Sequence, residues 1–89
     1  MNNENTHLYT VEQFDNMIVQ EVLRDVYAAL EEKGYNPVNQ IVGYLVSGDP
    51  GYISNYKNAR SKISKVDRNT ILETLLNNYI NNIKWDILV

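Results

Sequence analysis

The chain has no cysteine, one histidine and two prolines in 89 residues. Without cysteine it forms no disulfide and offers no thiolate to a metal or a substrate. A single histidine, His7, excludes the usual structural zinc sets, which draw on several His or Cys ligands. The longest apolar-rich run, Ile41–Val46, is broken by Gly43. It falls far short of the roughly 20 residues that span a bilayer. The opening Met1-Asn2-Asn3-Glu4-Asn5 has neither the basic nor the apolar region of a secretory signal. These absences predict a cytoplasmic protein with no membrane insertion, no metal and no cofactor.

What remains is a short chain with enough apolar residues for one core. A single domain of this size typically reaches only about 3–5 kcal/mol of net stability. Small domains usually add a disulfide, a metal or a partner subunit, and only the last is open here. A homodimer is therefore expected.

Net charge is −3, unevenly placed. Residues 1–33 hold seven acids (Glu4, Glu12, Asp15, Glu21, Asp25, Glu31, Glu32) against Arg24 and Lys33, leaving −5. Residues 54–68 hold Lys57, Arg60, Lys62, Lys65 and Arg68 against Asp67, leaving +4. The two regions can complement each other within one fold or across a dimer.

Periodicity predicts an all-α fold: a compact four-helix core with short connections, a disordered N-terminal tail and a symmetric homodimer. Residues 1–13 are mostly polar and form the expected tail, 14–84 the helical core, and 85–89 an apolar C-terminal segment. In the first helix, expected from about Phe14 to Lys33, Ile18, Val19, Val22, Leu23, Val26 and Leu30 share one face. Gly34 ends it. Asn36 caps the second helix and Pro37 suits its first position. Val38, Ile41, Val42, Leu45 and Val46 form its stripe, expected to be well buried. Ser47-Gly48-Asp49-Pro50-Gly51 is a dense turn signal. A third helix is expected over about 55–65, and a fourth over about 68–84, capped by Asp67. The stripe of the fourth is Ile71, Leu72, Leu75, Leu76, Tyr79, Ile80 and Ile83.

Catalysis finds little support. His7 lies in the expected tail, where no rigid triad can form around it. Gly43 and Gly48 have phosphate-loop spacing, but Asp49-Pro50 stands where Lys and Ser/Thr are required. A helix-turn-helix-like regulator using a basic helix over 55–68 is the alternative to a protein-binding role. The acidic balance of the chain makes its footprint on nucleic acid thin.

The central segment is the most specific part of the chain. Asp25-Val26-Tyr27-Ala28-Ala29-Leu30, then the run from Lys33-Gly34-Tyr35-Asn36-Pro37 through Asn39-Gln40-Ile41 and Gly43-Tyr44 to Ser47-Gly48-Asp49-Pro50, then Tyr52-Ile53 and Asn58-Ala59-Arg60, resembles the IreB family of small regulatory phosphoproteins. The resemblance covers about residues 20–80 and rests on a long, ungapped signature. It implies a helical core, a symmetric homodimer and a flexible tail. It also implies phosphorylation of a tail threonine by a membrane Ser/Thr kinase with extracellular PASTA domains, reversal by a phosphatase, and an output in cell-wall stress and antibiotic tolerance.

The family's acceptor pattern places a threonine three residues before an aromatic. Thr6-His7-Leu8-Tyr9 fits it, with tyrosine for phenylalanine. A second threonine, often found three residues earlier, is Asn3 here. Thr6 is thus the expected phosphoacceptor, and Thr10 a weaker candidate with no matching position. Helix and turn rules leave Asn39, Gln40, Tyr44 and Tyr52 without a required local role, so these four are the expected dimer or partner surface. The basic patch Lys57, Arg60, Lys62, Lys65 and Arg68 is the expected counter-charge for a phosphate.

Overall fold

The computed structural model describes residues 10–83. Thr6, His7 and the rest of the expected tail up to residue 9 lie outside them, as does the apolar segment 85–89. Four α-helices are present among the described residues: α1 (Val11–Glu32), α2 (Pro37–Ser47), α3 (Ala59–Ser64) and α4 (Arg68–Asn81). Two 3-10 turns, Pro50–Tyr52 and Tyr56–Asn58, lie between α2 and α3.

α1 begins three residues before the expected start. Thr10 is its N-cap, the Thr10 Oγ1 accepting from the Gln13 amide at 3.1 Å while the Gln13 Oε1 accepts from the Thr10 amide at 2.9 Å. This reciprocal box satisfies two of the orphan donors at the helix start. The Thr-x-x-Gln spacing announces it in the sequence. α2 starts as expected, with Asn36 Oδ1 accepting from the Asn39 amide. It stops at Gly48, whose φ of 78° supplies the left-handed cap.

The third helix is shorter than the expected 55–65, because the backbone kinks before it. Lys57 and Asn58 both have positive φ, 53° and 63°. The Ser54 Oγ accepts from the Tyr56 amide and the Ser54 carbonyl from the Arg60 amide, so local bonds compete with helix here. α4 ends at Asn81, three residues short of Lys84. Its last turns are asparagine-rich and low in helix propensity, and the Asn82 Nδ2 turns back to donate to the Asn78 carbonyl.

α2, α3 and α4 all pack on α1. Lys57 meets Glu32, Lys62 meets Asp25 and Asn78 meets Asn16, so the chain through α3 and α4 runs antiparallel along the length of α1. The core comprises Val19, Val26, Ala29 and Leu30 of α1, Tyr44 and Leu45 of α2, then Ile53, Ala59, Ile63 and Ile71.

Two expected stripes are only partly inside. Ile41 is half-buried and Leu45 buried, but Val38, Val42 and Val46 are exposed. In α4 Ile71 is buried, while Leu72, Leu75, Leu76 and Tyr79 are exposed. One helix, α1, serves as the packing floor, so each neighbour turns only one flank of its stripe toward it. Thr10→Ala removes the side-chain half of the box and lowers stability by about 1 kcal/mol, measured by urea denaturation with helix content unchanged away from the first turn.

Candidate functional site

The segment from Asn36 to Arg60 is a clasp of short polar bonds. The Ser47 Oγ donates to the Gly43 carbonyl at 2.7 Å and accepts from the Asp49 amide at 3.0 Å. The Asp49 Oδ1 accepts from the Gly51 amide at 2.8 Å and so caps the first 3-10 turn. The Gln40 Nε2 reaches across to donate to the Tyr52 carbonyl at 2.8 Å. The Tyr52 ring lies on Gly43 so closely that a Cβ there would stand 2.5 Å from it. Gly43 is needed for this approach and Gly48 for its φ.

These contacts place the four expected surface residues. Tyr44 is only 6% exposed and belongs to the core, which corrects its assignment to a contact surface. An amphipathic ring at an inward position of α2 is used as packing. Gln40 is half-buried and tied to Tyr52, whose ring covers Gly43. Asn39 is exposed on α2. Beside it stand Val38, Val42 and Val46, at 58%, 51% and 80% exposure. They recur every four residues and form an open apolar row. Sequence reasoning missed this row because a wide apolar stripe carries no mark of which flank faces out.

The basic residues do not form one helix face. Lys57 precedes α3, Arg60 and Lys62 lie within it, Lys65 caps it and Arg68 opens α4. Four of the five are already engaged. The Arg60 Nε donates to the Ile53 carbonyl at 2.8 Å and an Arg68 guanidinium nitrogen to the Leu45 carbonyl at 2.9 Å. Lys62 pairs with Asp25 at 3.3 Å and Lys57 with Glu32 at 3.0 Å. The Tyr56 hydroxyl donates to the other Glu32 oxygen at 3.0 Å, with Lys33 and Lys57 near its ring. The carboxylate thus anchors the positive-φ turn at Lys57 and Asn58. The expected continuous basic helix over 55–68 is replaced by these separate pieces.

A groove of about 520 Å³ lies between the start of α1 and the end of α4. Asn16, Asn77, Asn78 and Asn81 line it together with the carboxylates of Glu12, Asp15 and Glu73, and the Asn78 Nδ2 donates to the Asn16 Oδ1 across it. No group of three metal-ligating residues gathers among the described residues, and no helix there is long and apolar enough to cross a membrane. The arrangement defines a small helical protein in which a hydrogen-bonded clasp presents an open apolar row.

The comparisons agree with that class and narrow it. The family model described as the IreB regulatory phosphoprotein matches residues 4–81. A UPF0297 protein of Lachnoclostridium phytofermentans is 56% identical over 78 residues, 88% of this chain and 89% of its own length. A UPF0297 protein of Acetivibrio thermocellus is 51% identical over 80 residues, 90% of this chain and 89% of its own. The chain belongs to the IreB family of regulatory phosphoproteins.

Two outcomes test the clasp and its anchor. Gly43→Ala forces the Tyr52 ring aside and destabilises by about 1–3 kcal/mol. The penalty shrinks in a Tyr52→Ala background, as a double-mutant cycle by urea denaturation measures. Glu32 titrates below the ordinary glutamate value, through the hydrogen bond from Lys57 first and that from Tyr56 second. Its contribution to stability is complete above the unfolded-chain value and fades as pH falls through the lower folded one. Lys57 titrates above the ordinary lysine value, chiefly through its bond to Glu32, so its contribution fades as pH rises through the folded value. A carbon-detected NMR titration of Glu32 gives a depressed value in the native chain. Lys57→Ala returns it toward normal.

Proposed function

We propose that this protein is a non-enzymatic, cytoplasmic regulator in cell-wall stress and antibiotic-tolerance signalling, switched by phosphorylation of Thr6 and acting through protein–protein contacts. The kinase is a membrane Ser/Thr kinase with PASTA domains, opposed by a phosphatase. The output is a contact with a downstream protein. The observation that carries the reading is membership of the regulatory phosphoprotein family over residues 4–81, which includes Thr6.

The working unit is a symmetric homodimer, and the exposed row Val38, Val42 and Val46 is its seam, with Asn39 at its rim. A row so open on a small monomer leaves apolar surface in water that a second copy covers. Two copies of the same stripe are self-complementary about a twofold axis.

The phosphate pairs with the basic patch of its own copy or of the other, but not with Lys57 of its own chain, which lies out of reach. Lys57 is anchored at Glu32, the far end of α1. A helix of 22 residues is about 33 Å long. Thr6 stands four residues before the Thr10 cap, a span of at most about 14 Å. Thr10 itself serves as the cap through its hydroxyl, which makes Thr6 the better acceptor. Nucleic acid is the less favoured partner, since four of the five basic side chains are engaged with internal carbonyls and carboxylates.

Two measurements decide. Incubated with ATP and the kinase domain of its bacterium's PASTA-bearing enzyme, the chain gains phosphate on Thr6. That phosphate is absent in Thr6→Ala and retained in Thr10→Ala. Mass spectrometry that finds none on Thr6 ends the switch as stated. Sedimentation finds a dimer at micromolar concentration, shifted to monomer by Val42→Lys with helix content intact. A wild-type monomer across that range removes the assigned seam.

A further inference from the structure

The first turns of α1 carry an exposed apolar row. Val11, Phe14 and Met17 are 78%, 54% and 47% exposed, and Ile18 beside them is half-buried. They recur at three- and four-residue steps, so they share one side of the helix.

Four acidic residues border this row. Asp15 lies one turn from both Val11 and Ile18, and Glu21 follows Met17 by one turn. Glu12 and Glu73 stand with Asp15 on the groove between α1 and α4, which opens beside Val11. None of the four belongs to an ion pair among the described residues, where the pairs are Lys57–Glu32 and Lys62–Asp25. The one cation of α1, Arg24, lies a turn beyond Glu21.

These charges select what covers the row. A second copy meeting it about a twofold axis would set acid against acid. The chain's own basic stretch has little to offer, since Lys57, Arg60, Lys62 and Arg68 are engaged elsewhere. α2 is the contrast: it holds no charged residue, so its row suits an identical copy. The α1 row needs cations from a different protein. We propose that the start of α1 docks an amphipathic helical segment of another protein, whose apolar face is bordered by Lys or Arg. Apolar side chains of that segment seat on Val11, Phe14 and Ile18, and its cations reach Asp15 and the acids of the groove. Val11 to Ile18 spans about 10 Å, the length of two helical turns, and ridges at three- and four-residue steps on both partners interlock. This inference names the chemistry of the downstream contact and rests on the proposed protein-contact role.

The probe is a synthetic helical peptide of leucine and lysine with the leucines on one face. It is titrated into the isotope-labelled full chain and followed by amide NMR. Two control peptides replace lysine by glutamate or scatter the leucines around the helix. The leucine–lysine peptide shifts amides over residues 11–21, and its affinity falls with added salt. Both controls bind at least about tenfold more weakly. Phe14→Lys weakens binding by a similar factor while far-UV dichroism stays helical. Glu12→Gln combined with Asp15→Asn and Glu73→Gln keeps the apolar row, lowers affinity and flattens the salt dependence. This triple variant also serves if Phe14→Lys loses helix. Val42→Lys on α2 changes none of these readouts. Absence of shifts over 11–21 overturns the proposal, as does equal binding of the glutamate peptide. Shifts centred on Val42 or Leu76 place the contact on another row and do the same. Concentration-dependent shifts of the 11–21 amides in the chain alone assign the row to a second copy and also overturn it. No readout involves Thr6, its kinase or the α2 seam, so this inference and the proposed switch and dimer fail separately.

Discussion

The buried row of α1 is the surface on which everything else is laid down. Val19, Val26, Ala29 and Leu30 are almost without exposure, and α2, α3 and α4 each press on this helix. Among the described residues there is no second layer to close over its far side. Each neighbour therefore spends one flank of its apolar stripe on α1 and leaves the other flank out. The two open rows, on α2 and on α4, follow from that single constraint.

With so little core, position is fixed by polar bonds to backbone rather than by volume. The bond from Arg60 to the Ile53 carbonyl, that from Arg68 to the Leu45 carbonyl and that from Gln40 to the Tyr52 carbonyl tie the ends of elements to one another. Ser47 and Asp49 do the same within the turn. Each such bond is worth only about 1 kcal/mol net. Together they hold the Asn36–Arg60 segment in one geometry. That accounts for much of the family signature: Asn36, Gln40, Gly43, Ser47, Gly48, Asp49 and Tyr52 all serve this clasp.

The helices were legible in the sequence because caps and periodicity are local. Asn36-Pro37, Gly48 and Asp67 marked boundaries that the structure keeps. The start of α1 was legible too, in Thr10 and Gln13, but only if the box is weighed above the polar composition around it. What was not legible is which flank of a stripe faces outward. That depends on how many layers pack behind it, and Val38, Val42 and Val46 look the same in a sequence whether covered or bare. The kink at Lys57 and Asn58 was equally hidden, since its anchor, Glu32, is 25 residues away.

The same economy bears on the charge pattern. A basic stretch read along the sequence counts formal charges, whereas a ligand meets only those left uncompensated. Lys57 and Lys62 face carboxylates of α1, and the two arginines donate to carbonyls that would otherwise lack partners at element ends. The acidic first half and basic middle of the chain thus meet along α1, within one molecule. Charges consumed in holding the fold contribute little to a polyanion, whose affinity grows with each phosphate neutralised. Apolar surface left over from the same packing has no such internal use. In this molecule the surplus is hydrophobic, and that surplus is what the proposed protein contact draws on.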